Sequence, residues 1–368
     1  MNENFDYSKT YYKVTNENET HNNYKYKDGL NILEEEFNDD STASCVPGGF
    51  YFTDYENLPE FFTYGTWIRE VTIPKDARVV KDPQGDKWRT DKIIFGKKYH
   101  IHKDFDKWFD PEKYNWNYSY YLAQYCSDYF DKWFDPEKYN WKFSNYLAEY
   151  CPDHFDKWFD KENFNWENSY SLARYCSKDF DKWFDPEKFV WEDSHFLAEF
   201  CPQHFDKWFD PEKYNWEYLY YLALYCPKYF DKWFDPEKYN WGYSKYLARY
   251  CSQHFDKWFD PKKYNWEDSH YLAQYCSQHF DKWFDTKKYK WYFSEYLAEY
   301  CSEHFDKWFN PKKYEWYFSE YLAQYCSKHF DKWFDPEKFN WYYLKYLAQY
   351  CSEHMNKWEK YAPKDVIK

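Results

Sequence analysis

The stretch FDKWFDPKKYNWEDSHYLAQYCSQH, residues 255–279, decides how the chain is read. It recurs ten times with few changes, from Phe105 to His354, at an unbroken interval of 25 residues. A fixed period between about 20 and 50 residues marks a stacked array, because one such unit cannot bury its own apolar face. Within the unit, residues 269–276 (SHYLAQYC) space Leu, Ala, Tyr and Cys for one buried helix face, with Ser269 as the expected N-cap. The following SQHFDKWFD puts Phe280, Trp283 and Phe284 on a second face. Pro152, Pro202 and Pro227 open that segment in three repeats, as proline does in a first helical turn. The third segment, DPEKYNW in four copies and close to it in the rest, reads as an Asp-capped single turn with Pro at its start. The spacing therefore predicts two principal helices and a short turn per repeat.

Comparing the ten copies separates core from surface. The positions of Phe105, Trp108, Trp116, Leu122, Ala123 and Cys126 are identical in all ten. The variable positions are those of Asn117, Tyr118, Tyr120, Gln124 and Asp128. Steps of three, four and four along 117, 120, 124 and 128 make one helical stripe. This stripe is the expected protein-binding face. Asn117, Tyr118, Tyr120 and Gln124 represent it in the first repeat, and Glu192, Asp193, His195 and Glu199 farther along. Tyr118, Phe143, Tyr218, Tyr243, Phe293, Phe318 and Tyr343 are read as aromatics on or beside the stripe, available to a partner.

Composition narrows the function classes. Of 368 residues, 28% are aromatic, with 23 Trp and 46 Tyr, so the chain is expected to fold. A formal charge of −14 argues against tracking a nucleic-acid backbone or docking on an anionic membrane. The first twenty residues are polar, so no signal peptide is expected, and no apolar run reaches membrane-spanning length. Ten of the eleven cysteines fall at the repeat interval. They are read as reduced, buried small residues.

Six of the seven glycines precede residue 97, which places a different domain ahead of the array. Strands are expected at residues 11–15, 49–53, 67–74 and 92–99, turns at Gly48–Gly49 and Asp82–Gly85, and a short helix at 58–65. The fold class that follows is mostly α: an α-solenoid of ten 25-residue repeats behind a small α+β domain. The expected domains are 1–102, 103–354 and a partial capping repeat at 355–368, where Glu359 replaces the second Phe and the chain turns polar.

The run CVPGGFYFTDYENLPEFFTYG, then REVTIP, then VVKDPQGDKWRTDKIIFGKKY, resembles the N-terminal domain carried by ankyrin-repeat and other repeat proteins of mimivirus-type giant viruses. The SxYLAxYCSxHFDKWF core is loosely similar to an ankyrin helix pair, although each repeat is eight residues shorter and has no Gly-containing β-turn. The resemblance implies a viral interaction scaffold. The GGFYFTDYENLPEFFTYG pattern is also distantly similar to ADP-ribosyltransferase-like domains, which would single out Tyr51, Thr53 and His21, with Glu70 as the acid.

Other chemistry fits the residues less well. Cys-x-x-His recurs, as in Cys151 with His154 and Cys201 with His204, but zinc requires four ligands and the His is replaced by Tyr129, Asp179 and Tyr229 in otherwise unchanged repeats. Asp106, Asp110 and Glu112 recur without the Gly turn of a calcium loop, and Lys262, Lys287 and Lys312 replace the Glu. No metal and no cofactor are expected. The reading is a non-enzymatic protein-binding scaffold located in the host cytoplasm or the virion, neither secreted nor membrane-spanning. A self-associating structural component of the particle and a transferase-like N-terminal domain stand as alternatives.

Overall fold

The computed structural model describes residues 5–21 and 24–363. The end of the terminal polar run, residues 364–368, lies outside them. The chain divides into two compact units, Met1–Val190 and Trp191–Lys368.

The first unit begins with strands β1 (Tyr11–Thr15), β2 (Thr20–His21), β3 (Tyr24–Lys25), β4 (Gly29–Ile32), β5 (Phe50–Phe52), β6 (Trp67–Thr72), β7 (Val79–Lys81), β8 (Trp88–Thr90) and β9 (Lys92–His100). They form a four-stranded sheet in the order β1-β6-β9-β4, a three-stranded sheet β5-β8-β7 and the pair β2-β3. All pairings are antiparallel. Two backbone bonds of 2.8 Å between Tyr12 and Thr53 tie β1 to the end of β5. Between the sheets lie Tyr11, Tyr26, Phe50, Phe52, Val71, Ile93 and Phe95, with Tyr26 stacked on Phe95 at 4.8 Å.

Residues Leu58–Tyr64 form a 3-10 helix with Pro59 in its first turn. Its Phe62 meets Trp108, Tyr121 and Tyr125 of the first repeat edge-on. Tyr55 donates to the Trp108 carbonyl and accepts the Asp110 amide. The Trp108 indole bonds the Ile101 carbonyl at 2.8 Å, just as Trp133 bonds Cys126 seven residues earlier at 2.9 Å. The sheet domain thus supplies the first repeat with the contacts a preceding repeat would make.

The repeats follow one local plan. Taking residues 255–279, Phe255–Trp258 is a single α-turn, closed where Phe259 turns extended. Asp260 accepts the Lys262 amide through its side chain and the Tyr264 amide through its carbonyl, which makes residues 260–264 a tight turn. Asn265 then caps a 3-10 turn, Trp266–Asp268, by accepting the Glu267 amide, and the α-helix His270–Tyr275 continues from it. Ser277–His279 is again 3-10 and leads into the next Phe280–Trp283 turn. Leu272, Ala273 and Cys276 have no exposed surface. The same plan in other copies makes a helical-repeat solenoid.

Two expectations change. The second helix of each repeat is one 3-10 turn and one α-turn, because the extended residue after each FDKW ends it. Ser269 stands at the N-cap position of its α-helix but makes no side-chain capping bond; Asn140 and Asn265 do the side-chain capping, on the 3-10 turns that lead into the helices. The Ser hydroxyl instead accepts the amide of the next repeat, Asn140 on Ser119 and Asn265 on Ser244, each at 3.0 Å. No helix among the described residues is long and apolar enough to cross a membrane.

Candidate protein-binding face

Neighbouring repeats are joined at fixed places. Besides the Ser–amide bond, the buried Cys thiol reaches the Ala carbonyl one repeat back, as Cys176 to Ala148 in the first unit and Cys276 to Ala248 in the second. Burial pushes the thiols up, to about 12 for Cys151 and Cys276. Exposed ion pairs run along one side, including Lys132–Asp106 and Lys157–Asp131 in the first unit and Lys257–Asp231 and Lys282–Asp256 in the second. Solvent screens these pairs, so they add register more than stability. Where a ring precedes the next turn, the Phe of an FDKW turn stacks on it. His154 lies on Phe130 at 4.4 Å and 7°, and Tyr129 on Phe105 at 4.8 Å and 10°. His and Tyr are interchangeable there because a flat ring is what the stack requires. Where Asp179 stands instead, it pairs with Lys182. The Cys-x-x-His motif is therefore a thiol bonded inward and a ring stacked sideways. Among the described residues no group of three or more His, Cys, Asp or Glu could hold a metal ion.

The variable stripe splits into two kinds of position. Asn117 and Glu192 are exposed. Tyr118, Tyr120, Gln124, Asp193, His195 and Glu199 are half-buried. Tyr118 donates its hydroxyl to Glu60, and Tyr120 packs on Phe143 and Tyr146 of the next repeat at 4.5 and 5.1 Å. His195 does the same with Tyr218 and Tyr221, and burial lowers its pKa. Glu199 accepts the Tyr225 hydroxyl at 3.2 Å. Of the aromatics expected on or beside the stripe, Tyr118, Phe143, Tyr243, Phe293, Phe318 and Tyr343 are half-buried and Tyr218 is 36% exposed. In the second unit the position equivalent to His195 becomes Glu295. Burial, with Glu320, Glu315 and Glu299 adding their charge, pushes its carboxyl up to about 7.

The most exposed aromatics of the repeats sit one residue earlier. Tyr292, Tyr317 and Tyr342 occupy the Asn117 position in three successive repeats and are 51%, 61% and 83% exposed. The Tyr292 hydroxyl lies 3.3 Å from Glu267, its counterpart one repeat back, so this position forms a continuous row. Along the second unit the row reads Glu192, Glu217, Gly242, Glu267, Tyr292, Tyr317, Tyr342. It passes from acidic to aromatic. Sequence comparison had grouped these tyrosines with a variable position; the signal that separates them is their recurrence at consecutive 25-residue intervals.

Of the residues singled out by the transferase likeness, His21, Tyr51 and Thr53 line one cavity of the sheet domain. Glu70 is not among its lining residues and accepts the Tyr99 hydroxyl at 2.7 Å.

No protein-family profile matches the chain, and no solved structure does. Several proteins of Acanthamoeba polyphaga mimivirus are similar to part of it. One named as an ankyrin repeat protein, R868, is 44% identical over 92 residues, 24% of this chain and 46% of R868. Uncharacterized protein R869 is 42% identical over 102 residues, 27% of this chain and 73% of R869. R896, also named as an ankyrin repeat protein, is 36% identical over 95 residues, 25% of this chain and 28% of R896. The chain thus spans about half the length of R868 and less of R896.

Proposed function

We propose, starting from the fact that this chain belongs to the mimivirus protein family that includes uncharacterized protein R869, that it is a non-enzymatic scaffold binding another protein in the infected host cell. The observation that carries this is the row at the Asn117 position. The core positions of the repeat are invariant while this solvent-facing position changes from Glu to three consecutive tyrosines. Tyrosine gives a large, rigid contact area at low entropic cost and is enriched at interface hot spots. A packing role does not account for a ring that is 83% exposed, as Tyr342 is. The naming of two relatives as ankyrin repeat proteins supports the reading, and so does the −14 charge, which favours a partner with a basic surface. The domain division that serves it is a sheet domain over 1–102, repeats over 103–354 and a terminal cap over 355–368.

The test is capture from host-cell lysate by the full chain, with mass spectrometry, for wild type and for Tyr292→Ser/Tyr317→Ser/Tyr342→Ser. Loss of a captured protein by at least about tenfold, with unchanged unfolding, is the expected result. Equal capture by the variant removes the tyrosine row as the face. Charge reversal at Glu192, and substitution of Asn117, Tyr118, Tyr120, Gln124, Asp193, His195 and Glu199, then measures the rest of the stripe. Recovery of the protein alone, with self-association in sedimentation, favours the structural-component reading instead.

A further inference from the structure

The sheet domain contains a cavity of about 280 Å³, lined by residues of β1, β2, β5 and the Leu58–Tyr64 helix together with Cys45 and Lys87. Its lining includes Lys13, Lys87, His21, Thr15 and Thr53 among polar groups, and Tyr12, Tyr51, Phe52, Phe61 and Tyr64 among rings. Among the described residues none of the lining is Asp or Glu, in a chain that carries 64 of them. Two lysines and a histidine facing one cavity therefore run against the charge of the molecule.

The two lysines are not equivalent. Lys87 is neutralised by Asp86 and Asp82 and bonded to Gln84. Lys13 is only 6% exposed, donates to the Tyr51 carbonyl at 2.8 Å, lies over the Tyr26 ring at 5.1 Å, and has no carboxylate partner among the described residues. A buried ammonium is costly without a counter-ion and is normally paired. Thr15, two residues along β1 and so on the same face, has a buried hydroxyl with no hydrogen-bond partner. Such a group costs about 1–3 kcal/mol when left unmade. The ammonium thus lacks a counter-ion and the hydroxyl lacks a partner, on one face of β1. Burial alone brings the Lys13 ammonium down to about 7, and burial with the Lys13 charge brings His21 down to about 4. The other titratable groups on the lining are Tyr12, Tyr51, Tyr64, Cys45 and Lys87.

We propose that this cavity is a binding site for a small organic anion, a carboxylate or phosphate on a single flat ring, with Lys13 and Thr15 holding the anionic head and the aromatic wall holding the ring. The head supplies the counter-ion that Lys13 lacks and the partner that the Thr15 hydroxyl lacks. The volume lies just below the roughly 300–1,000 Å³ of pockets for drug-sized ligands, which limits the body to about one ring. Tyr64, 59% exposed, stands at the opening.

The test uses the full chain and calorimetric titration at pH 7 with benzoate, phenyl phosphate, inorganic phosphate, benzyl alcohol and benzylamine. Benzoate or phenyl phosphate is expected to bind at least about tenfold more tightly than benzyl alcohol, with inorganic phosphate weaker than phenyl phosphate. The preferred head, carboxylate or phosphate, is read from the first two probes. Lys13→Met is expected to lose at least about tenfold, and Thr15→Val, which keeps the shape, several-fold. At pH 8, titrations in buffers of different ionisation heat should register proton uptake as the bound anion recharges Lys13. If Lys13→Met does not fold, Thr15→Val and the proton uptake carry the test. Benzyl alcohol or benzylamine binding as well as benzoate overturns the proposal. So does the absence of binding by both aromatic anions, or full affinity in a folded Lys13→Met or Thr15→Val.

Discussion

Each repeat carries two tryptophans, and the same substitution at each should give unequal results. Trp258 is 2% exposed and its indole bonds the Cys251 carbonyl at 2.9 Å. Trp266 is half-buried, bonds the Pro261 carbonyl at 3.0 Å and lies under the Lys288 ammonium. Trp258→Phe removes ring atoms from a closed core, which costs about 2 kcal/mol in transfer and cavity terms. The lost hydrogen bond adds about 1 kcal/mol. It adds no more, because the Cys251 carbonyl keeps the His254 amide at 2.9 Å. The total is about 3 kcal/mol for Trp258→Phe against about 1 kcal/mol for Trp266→Phe, whose ring atoms return partly to water. In a repeat array the loss is local to a repeat and its neighbours. Hydrogen exchange read by mass spectrometry over residues 226–300 is therefore the assay, alongside denaturant unfolding. Equal deprotection by the two variants, or a larger effect at Trp266, would refute the view that the first tryptophan is core and the second a lid.

Other outcomes follow from the geometry. Of eleven cysteines, Cys45 is exposed and the other ten are buried, so a thiol reagent should label one site quickly in the native chain and all eleven in denaturant. His279 stacks on Phe255 at 4.4 Å as Tyr229 does on Phe205, so His279→Tyr should change stability by under about 0.5 kcal/mol while His279→Ala costs about 1 kcal/mol. Both are measured by denaturant midpoint. Burial holds the folded Lys13 at about 7 against 10.5 unfolded, so the unfolded chain binds more protons between those values. Stability of the sheet domain should then rise with pH across that window, and Lys13→Met should flatten the rise in thermal scans at constant ionic strength.

Some of this fold is legible because the repeat prints it ten times. Leu272, Ala273 and Cys276 are at the core because any change there would have to be matched in a neighbour. Strands such as Tyr11–Thr15 and Trp67–Thr72 read directly from β-branched and aromatic runs. Gly29–Ile32 did not, since its pattern is inverted. Leu30 and Ile32 are exposed, whereas Asn31 is buried and bonded to Lys27 and Gly29. The role of Ser119 was hidden because its partner, Asn140, lies 21 residues away, and helix-cap rules see only the local chain. Variation likewise gave no sign that Tyr120 and His195 are half-buried against the next repeat. A position can change freely and still be packed when its neighbour in the next repeat is a ring that accepts several shapes. The transferase likeness singled out His21, Tyr51 and Thr53 on the Lys13 cavity but not Lys13 or Thr15, because the lining is drawn from six separated segments.

The bonds that join repeats span short chain distances: 21 residues for the serine bond, 26 for the ion pairs and 28 for the thiol. No closure within the array of either unit has to wait for a distant part of the chain. Each repeat can therefore dock as soon as its predecessor has formed, so growth of the folded array can keep pace with synthesis. The same locality makes length a tolerant trait. Adding or removing one 25-residue unit leaves every remaining seam with the partner it already recognises, so a gene that gains or loses whole copies still encodes a chain that folds.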